Sequence, residues 1–436
     1  MKSHRIARRL RLWIDQQFVG LAASLFVSKA LDLAGTILVA RAFGPSVLGC
    51  LAISNSYGAL GSRIGDMGLP ALVQRSLASG ESTLDLASIR AARWLIAAVT
   101  GLAAVGAVTV ILPGDQLGLA FCAVSALQIV GASELLASSL LAVRRVLAVG
   151  AALVLGRASQ LLAIALACWT NAGTTILGLA LLMGAVVQVA TLEHFNRRAS
   201  GRGRNRVNIP RGLRTTIANW RLGIVAFLPL LYDRMPVLVG GMRLPTTDIG
   251  QYSAAAAFYQ SAYLLIIPLN RPALTELSRA RRNPAAFSRE LRQLVWRSLL
   301  LGVLLLFGIW LGGGLLLDLA YGSRFVRAKD LLPVFGLAAL FLSINVAFLT
   351  ALTALRSDRL LLLVGLACGL SSPVAALTLI ANQGLLGLAL SHLCIELLCA
   401  TVAAFLLWSA LSKRRTANNC QDGAQTEESL ASTSAE

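Results

Sequence analysis

The residues most able to do chemistry are charged side chains inside long apolar stretches. Lys29 and Asp32 are three residues apart, which places them on one face of a helix. Asp233 and Arg234 are adjacent within the apolar stretch 222–242. Charges at membrane depth are costly and usually face a bundle interior or a water-filled cavity. We therefore expect these residues to line a polar path; the alternative for Lys29 and Asp32 is a mutually neutralising pair that only locks their helix.

Further ionisable side chains lie at similar depth. Arg157 stands well inside an apolar segment, where it is expected either to bind phosphate, to snorkel to the inner surface or to pair with Glu134. His392 and Glu396 are four residues apart and share a helix face, so they could relay protons or simply hold two helices together. The candidates for ion coupling or gating are Asp32, Asp233, Glu134, His392 and Glu396.

The stretch 222–242 also contains two prolines, Pro229 and Pro236, on either side of its charges. Each proline removes a backbone donor and disfavours a straight helix. These prolines are therefore candidate hinges. Because Asp233 and Arg234 are neighbours, their side chains diverge around the helix and need not pair. Arg234 could instead pair with a residue of a distant helix, for example Asp32.

The elements that position these residues must be membrane helices. The chain has 436 residues, of which 56% are hydrophobic and only 14% charged, with a mean hydropathy of +0.72. Apolar runs of about 20 residues recur along nearly the whole sequence, which is typical of a polytopic membrane protein. The net charge of +19 fits basic cytoplasmic loops better than nucleic-acid binding. We find no metal-ligand spacing and no nucleotide-binding or hydrolase motif, so we expect a protein that is not an enzyme.

Twelve apolar segments predict twelve transmembrane helices. With the N-terminus inside, 30 of the 39 Lys and Arg residues fall on the cytoplasmic side and five on the other. This asymmetry predicts that both termini are cytoplasmic. The segments are roughly 18–41, 46–66, 92–112, 117–142, 147–169, 173–195, 217–241, 249–268, 295–317, 331–354, 359–381 and 384–409.

The polar connections predict how the chain is divided. A basic leader, 1–17, precedes an N-terminal six-helix bundle, 18–195. A basic cytoplasmic linker, 196–216, then leads to a C-terminal six-helix bundle, 217–409. The Ser/Thr-rich, acidic tail, 410–436, is expected to be disordered.

An internal repeat relates the two halves. A shift of 201 residues places Asp32 on Asp233 and Gly49 on Gly250. Each copy has an apolar span with an Asp at mid-depth, a turn, an aliphatic-Gly pair and a helix of small residues. Both copies start on the same side, which predicts parallel repeats related by an axis along the membrane normal.

These motifs carry a family resemblance. RAFGPSVLGCLA and GDMGLPALVQR in the first half, and LYDRMPVLVGGMRLPTTDIGQYSAAAAFYQ in the second, resemble Wzx-type polysaccharide or O-antigen flippases. Those proteins belong to the multidrug/oligosaccharidyl-lipid/polysaccharide exporter superfamily. The resemblance implies an all-α fold of two pseudo-symmetric six-helix bundles, like that of MATE transporters, around a central cavity. It also implies flipping of an undecaprenyl-diphosphate-linked oligosaccharide across the bacterial inner membrane by alternating access.

For such a substrate, the residues expected to contact the diphosphate are the cations at membrane depth: Lys29, Arg157 and Arg234. Moving an anionic head group through hydrocarbon requires a wet, cationic groove. The expected partners are the lipid-linked glycan, membrane lipid, and polysaccharide polymerase and export machinery; no nucleic acid is expected. No cofactor is expected, although the resemblance implies coupling to protons or sodium.

Several alternatives stay open. A multidrug or cation antiporter of the same superfamily would favour an acidic, aromatic cavity, whereas only 6% of residues are aromatic. A lipid II flippase usually has two further spans. A membrane glycosyltransferase or polymerase usually has long outer loops, while the longest loops here are cytoplasmic. A non-transporting membrane scaffold would tolerate substitutions in the cavity.

Overall fold

The structure, a computed structural model, is helical almost throughout. It describes residues 2–79, 85–170, 173–200, 207–281 and 283–433. The helices are α1 (Lys2–Asp66), α2 (Leu69–Ser79), α3 (Leu86–Ile111), α4 (Leu117–Ala142), α5 (Val146–Trp169), α6 (Thr174–Ser200), α7 (Ile209–Ala218), α8 (Trp220–Arg243), α9 (Thr246–Ala280), α10 (Pro284–Phe307), α11 (Gly313–Tyr321), α12 (Val326–Lys329), α13 (Leu332–Ala354) and α14 (Asp358–Thr433).

Two of these helices are each interrupted by a glycine with positive φ. Gly44 in α1 has φ of 82°, and Gly384 in α14 has φ of 56°. L-residues with a side chain rarely adopt such angles, so a glycine is needed at each of these interruptions. Gly44 lies between the predicted segments 18–41 and 46–66. Gly384 lies where the next-to-last predicted segment meets the last.

Eight helices of the described residues are long and apolar enough to cross a membrane. Gly20–Asp66 and Asp358–Ser412 are 47 and 55 residues long, each about twice the length that a single span needs. The predicted segments 217–241 and 249–268 are not among the eight, and several side chains of these segments lie outside the described residues. The count of twelve spans therefore stays a prediction.

Helix contacts divide the chain into two compact units. The first unit contains residues 1–254 together with Leu317–Arg327. Within it, α1 packs against α3, α4, α5 and α8, while α6 packs against α4 and α5. The first unit thus includes α8, which was predicted to open the second bundle. The predicted bundle boundaries describe sequence symmetry rather than contacts, and they stay a prediction.

The second unit contains Ala255–Leu316 and the residues from Ala328 onward. Its core is formed by α13, which packs against both α10 and α14. The fully buried face of α13 is small or apolar, with Phe335, Ala338 and Ala339 each 0% exposed. Small residues at such positions let helix backbones approach closely.

The short helix α7 is part of the predicted linker 196–216. It packs against α3, where Gly212 lies directly over the backbone carbonyl of Ser88. Asp85 caps α3 by accepting a hydrogen bond from the Ser88 backbone N–H at 3.2 Å. Hydrogen bonds from Ser88 hold the pKa of Asp85 below its ordinary value. The end of the linker is therefore fastened to the first unit.

The predicted leader and tail fall mainly on side chains that the structure does not describe. The first helix, α1, begins at Lys2, and the last helix, α14, ends at Thr433. No described side chain lies in 1–17 or beyond Ser412. The expectation of a disordered tail over 410–436 therefore stays a prediction.

Candidate functional site

Asp32 on α1 is held by an arginine from another helix. Arg157 Nη1 on α5 lies 3.0 Å from Asp32 Oδ1 and donates to Gln160 Oε1 at 2.8 Å. The Arg157 and Asp32 side chains are 28% and 35% exposed. Lys29, one turn from Asp32, is exposed and has no carboxylate partner among the described residues. One Lys and one Arg against one Asp give this group a net charge of +1.

Three of the pairings considered from the sequence are wrong. Asp32 does not pair with Lys29 or with Arg234, because α5 packs along α1 and brings Arg157 to it. Arg157 does not pair with Glu134, which is held instead by Arg63. Which helix supplies a partner depends on helix packing, and the sequence does not state it.

In the second repeat copy, the charge of Asp233 is balanced by its neighbour in the chain, Arg234. Arg234 Nε lies 3.2 Å from Asp233 Oδ2, and the two side chains are 30% and 33% exposed. That nitrogen is buried yet has no hydrogen bond of acceptable geometry, so the pair is electrostatic only. The helix α8 runs continuously through Pro229 and Pro236. Their role as hinges stays a prediction.

The two repeat glycines meet in the first unit. A Cβ on Gly49 would collide with the carbonyl oxygen of Thr246, and a Cβ on Gly250 would collide with that of Pro45. Thr246 and Pro45 are themselves 201 residues apart. The two contacts therefore exchange under the repeat shift, as contacts across a two-fold axis do. No side chain fits at either position without displacing backbone.

Polar contacts surround this glycine crossing, which lies at the predicted outer ends of the helices. Ser46 Oγ and Thr246 Oγ1 are 2.9 Å apart. Arg41 donates to the carbonyl oxygens of residues 319 and 320. Arg327 Nη1 lies 2.5 Å from Asp248 Oδ1. We call the glycine crossing and these three contacts the outer clasp.

The first unit contains a buried ionic cluster that the sequence predicts only in part. Arg93 is 0% exposed and donates from Nε and Nη2 to Asp66 Oδ1 at 3.0 and 2.7 Å. Arg63 Nη1 lies 3.3 Å from both Asp66 Oδ2 and Glu134 Oε2. Glu134 was predicted as a candidate, whereas Asp66 was not singled out and Arg93 was counted only among the cations of the cytoplasmic side. Their position at the ends of apolar segments was the available signal.

The second unit has its own buried carboxyl group. Tyr259 Oη donates to Glu396 Oε1 at 2.6 Å, and Asn345 Nδ2 lies 2.5 Å from Oε2. The ring of His392 packs edge-on against Tyr259, with centroids 4.6 Å apart. Glu396 and His392 are 1% and 5% exposed. The predicted pair is therefore in one cluster, and its role in ion coupling stays a prediction.

The ion pairs described above can bind charged ligands and exchange partners with them. Among the described residues, no group of three or more His, Cys, Asp or Glu side chains could bind a metal ion. The half-exposed Asp32–Arg157 pair can open to an incoming anion or cation. Lys29 is available without breaking any described pair.

No family model matches the sequence, and no curated protein matches it. Solved structures do match. Lipid II flippase MurJ in an inward closed conformation has a TM-score of 0.71 at 13% identity, covering 89% of this chain and 87% of that chain. An inward-facing multidrug resistance MATE family transporter of the MOP superfamily has a TM-score of 0.69 at 13% identity, covering 88% and 96%. A MOP superfamily transporter from Pyrococcus furiosus, described as having a binding pocket of reverse polarity, has a TM-score of 0.57 at 12% identity, covering 90% and 94%.

At these identities the likeness concerns the fold. The chain has the fold of the MATE and MurJ transporters, which confirms the predicted class of an all-α, MATE-like membrane protein. The resemblance to Wzx-type flippases in particular stays a prediction.

Proposed function

We propose that this protein is a transporter that flips a lipid-linked oligosaccharide, carried on a diphosphate, across the bacterial inner membrane for polysaccharide biosynthesis. The observation that carries this proposal is the net positive charge of Lys29, Asp32 and Arg157 at membrane depth. A diphosphate is anionic and must be desolvated as it crosses. Lys29 offers it a cation directly, while Arg157 becomes available when Asp32 is displaced or neutralised.

The charge of this group also separates the proposal from its rivals. The net positive charge of Lys29, Asp32 and Arg157 would repel a cationic drug, and the Asp32 carboxylate is already paired with Arg157, so a multidrug antiporter fits less well. A lipid II flippase remains a second candidate, because the fold matches that of MurJ and a lipid-linked substrate would use the same cations.

The proposed mechanism is alternating access between two six-helix bundles. The outer clasp holds the predicted outer ends together while the head group enters from the inner leaflet, with its lipid tail remaining in the bilayer. Bending of α8 near Pro229 and Pro236 then releases the clasp. Arg234 is the third candidate phosphate contact, although its neighbour Asp233 balances it.

Ion coupling would act through the carboxylates of these same clusters. A coupling ion bound at Asp32 would free Arg157 for the diphosphate, and departure of that ion would restore the pair and release the substrate. Asp233, Glu134 and the His392–Glu396 cluster are the other candidates. The coupling part predicts that Asp32→Asn or Asp233→Asn alters the dependence of transport on a proton or sodium gradient. An unchanged dependence in both variants would remove it.

The proposed setting is a multi-pass protein of the inner membrane with both termini in the cytoplasm. There it would receive its substrate from enzymes that assemble glycans on the inner leaflet and deliver it to a polymerase and export machinery. A scaffold without transport activity would show no effect of substitutions at Lys29 or Arg157.

Transport in proteoliposomes tests the proposal. The full chain is reconstituted with a fluorescent undecaprenyl-diphosphate-linked oligosaccharide, and its arrival in the opposite leaflet is measured by enzymatic modification. Lys29→Ala and Arg157→Ala should reduce the rate by about tenfold or more, and Arg234→Ala by less, since each charge-assisted contact contributes roughly 1.5–3 kcal/mol. Arg243→Ala, an exposed cation at the predicted outer end, is the control. Full activity in all three variants at normal abundance would contradict the cationic groove.

A further inference from the structure

Arg63 engages its carboxylate partners through a single nitrogen. Its Nη1 lies 3.3 Å from both Asp66 Oδ2 and Glu134 Oε2. Arg63 Nε and Nη2 have no hydrogen-bond partner among the described residues. Neither nitrogen is among the buried polar atoms that lack a hydrogen bond. An arginine held in this way presents its Nε–Nη2 edge, which is the planar fork that binds phosphate through two parallel hydrogen bonds.

The neighbouring Arg93 cannot play this part. Arg93 is 0% exposed, and two of its nitrogens, Nε and Nη2, donate short hydrogen bonds to Asp66 Oδ1. A Cβ on Gly65 would lie 2.5 Å from Arg93 Nη1, and one on Gly131 would lie 3.2 Å from Nη2. The packing around Arg93 therefore leaves no room for a ligand, and this arginine serves to fix Asp66.

Arg63 and Glu134, in contrast, are open. Their side chains are 42% and 38% exposed, whereas Arg93 and Asp66 are 0% and 4% exposed. Charged groups this exposed near the inner end of a membrane span face water rather than lipid. Their single contact of 3.3 Å is longer than an ordinary charge-assisted hydrogen bond. The cluster thus has a fixed inner pair and an outer pair that can exchange partners.

We propose that the Nε–Nη2 edge of Arg63 is a second phosphate-binding site at the predicted inner end of the first unit, and that Glu134 is the internal anion that competes for it. This inference rests on the proposed function, because it assigns the diphosphate head group a contact additional to Lys29 and Arg157. The arriving phosphate takes the fork of Arg63, and Glu134 gives up its single contact.

The charges around Glu134 determine how anion binding at Arg63 changes with pH. Those acting on it are Arg63 and Asp66 from α1 and Arg93 from α3. On α6, Glu193 is held by Arg90 and Arg197. The Arg157 charge on α5 is taken by Asp32, and the side chain of Arg75 on α2 lies outside the described residues. With Glu134 ionised, the four-residue cluster is neutral; with Glu134 neutralised, it carries +1 and attracts anions more strongly.

Equilibrium binding to the purified full chain tests the site. The probes are undecaprenyl diphosphate in detergent, inorganic pyrophosphate, and phosphatidylglycerol in mixed micelles, which separate a lipid diphosphate from a free anion and from an ordinary anionic lipid. Arg63→Gln removes the cation, and Arg63→Lys keeps the charge but removes the fork. Arg197→Gln is the control, because Arg197 is 78% exposed and its single carboxylate partner, Glu193, is also held by Arg90.

We expect both Arg63 variants to weaken undecaprenyl diphosphate binding by about tenfold, as loss of a bidentate charged contact does. Glu134→Gln should tighten binding by about threefold, because a competing charge is gone. The ratio of the Glu134→Gln affinity to the native affinity should fall toward one as the pH is lowered, which cancels the titration of the probe itself. Phosphatidylglycerol should bind alike to all proteins.

Native-like binding by Arg63→Lys, or weaker binding by Glu134→Gln, would overturn the site. If an Arg63 variant does not fold, as judged by its thermal unfolding, Glu134→Gln still decides, because it keeps both arginines. The proposed function is tested separately: transport lost in Lys29→Ala but retained in Arg63→Lys would leave that function standing and end this inference.

Discussion

The two repeat copies agree in their glycines and differ in their charges. Gly49 and Gly250 make reciprocal contacts with backbone of the other copy. Asp32 and Asp233 occupy equivalent positions and are similarly exposed, but Asp32 pairs with Arg157 on another helix. Asp233 pairs only with its neighbour in the chain.

This difference indicates which helix can move. The Asp32 pair ties α1 to α5, so displacing α1 would break an interhelical ion pair. The Asp233 pair travels with α8, because both of its members are on that helix. Since α8 also contains two prolines, it can bend at a smaller electrostatic cost than α1. The shared glycines set where the copies touch, and the charges set which copy is anchored.

The largest effect should come from adding a methyl group at the shared position. Gly49→Ala or Gly250→Ala forces a Cβ against a backbone carbonyl oxygen, which cannot rotate away. We expect each to lower the free energy of unfolding by about 3 kcal/mol. Unfolding in mixed micelles of increasing dodecyl sulfate measures this. Gly106→Ala, where a Cβ would meet nothing within 4 Å, is the control and should be neutral or stabilising. Unequal effects at the two glycines would argue against the reciprocal contact.

Removing the interhelical arginine comes next. Arg157→Ala leaves Asp32 charged and unpaired, which should lower the free energy of unfolding by about 2 kcal/mol for a half-buried pair. The double variant with Asp32→Asn should recover most of this loss, because no charge is then left without a partner. The same micelle titration supplies both values. If the double variant were as unstable as the single one, the destabilisation would come from lost packing.

Much of this architecture could be predicted from the sequence. Apolar segments locate the helices, and the repeat shift identifies the two glycines that later prove to be in contact. Ion-pair partners could not be predicted, because Arg157 reaches Asp32 only once α5 packs along α1. The burial of Arg93 could not be predicted either, because Arg93 lies at the end of its apolar segment and the packing that buries it involves other helices.

A smaller effect is expected in the second copy. Arg234→Ala should cost less than about 1 kcal/mol, because the Asp233–Arg234 pair has no hydrogen bond of good geometry. Thermal unfolding of the purified variant measures the difference from Arg157→Ala. A loss as large as that of Arg157→Ala would mean that the two copies are anchored equally and that α8 has no electrostatic advantage in bending.

The smallest effect on stability belongs to Lys29. Leu230 stands at its repeat position, so Lys29→Leu makes the first copy resemble the second there. Because Lys29 is exposed and has no described ion-pair partner, we expect the unfolding temperature of the Lys29→Leu variant to differ little from that of the native protein. Transport of the lipid-linked oligosaccharide should nevertheless fall strongly. Equal losses of stability and transport would instead assign Lys29 a structural role.

In the proposed function, the first repeat copy presents a net positive site to an anionic lipid-linked substrate. Binding of undecaprenyl diphosphate and of the cation tetraphenylphosphonium to the same purified full chain tests it most directly. We expect saturable binding of the diphosphate that Lys29→Leu weakens by about tenfold, with no saturable binding of the cation. Saturable binding of tetraphenylphosphonium that Asp32→Asn abolishes, together with no binding of the diphosphate, would contradict it and favour a cation antiporter.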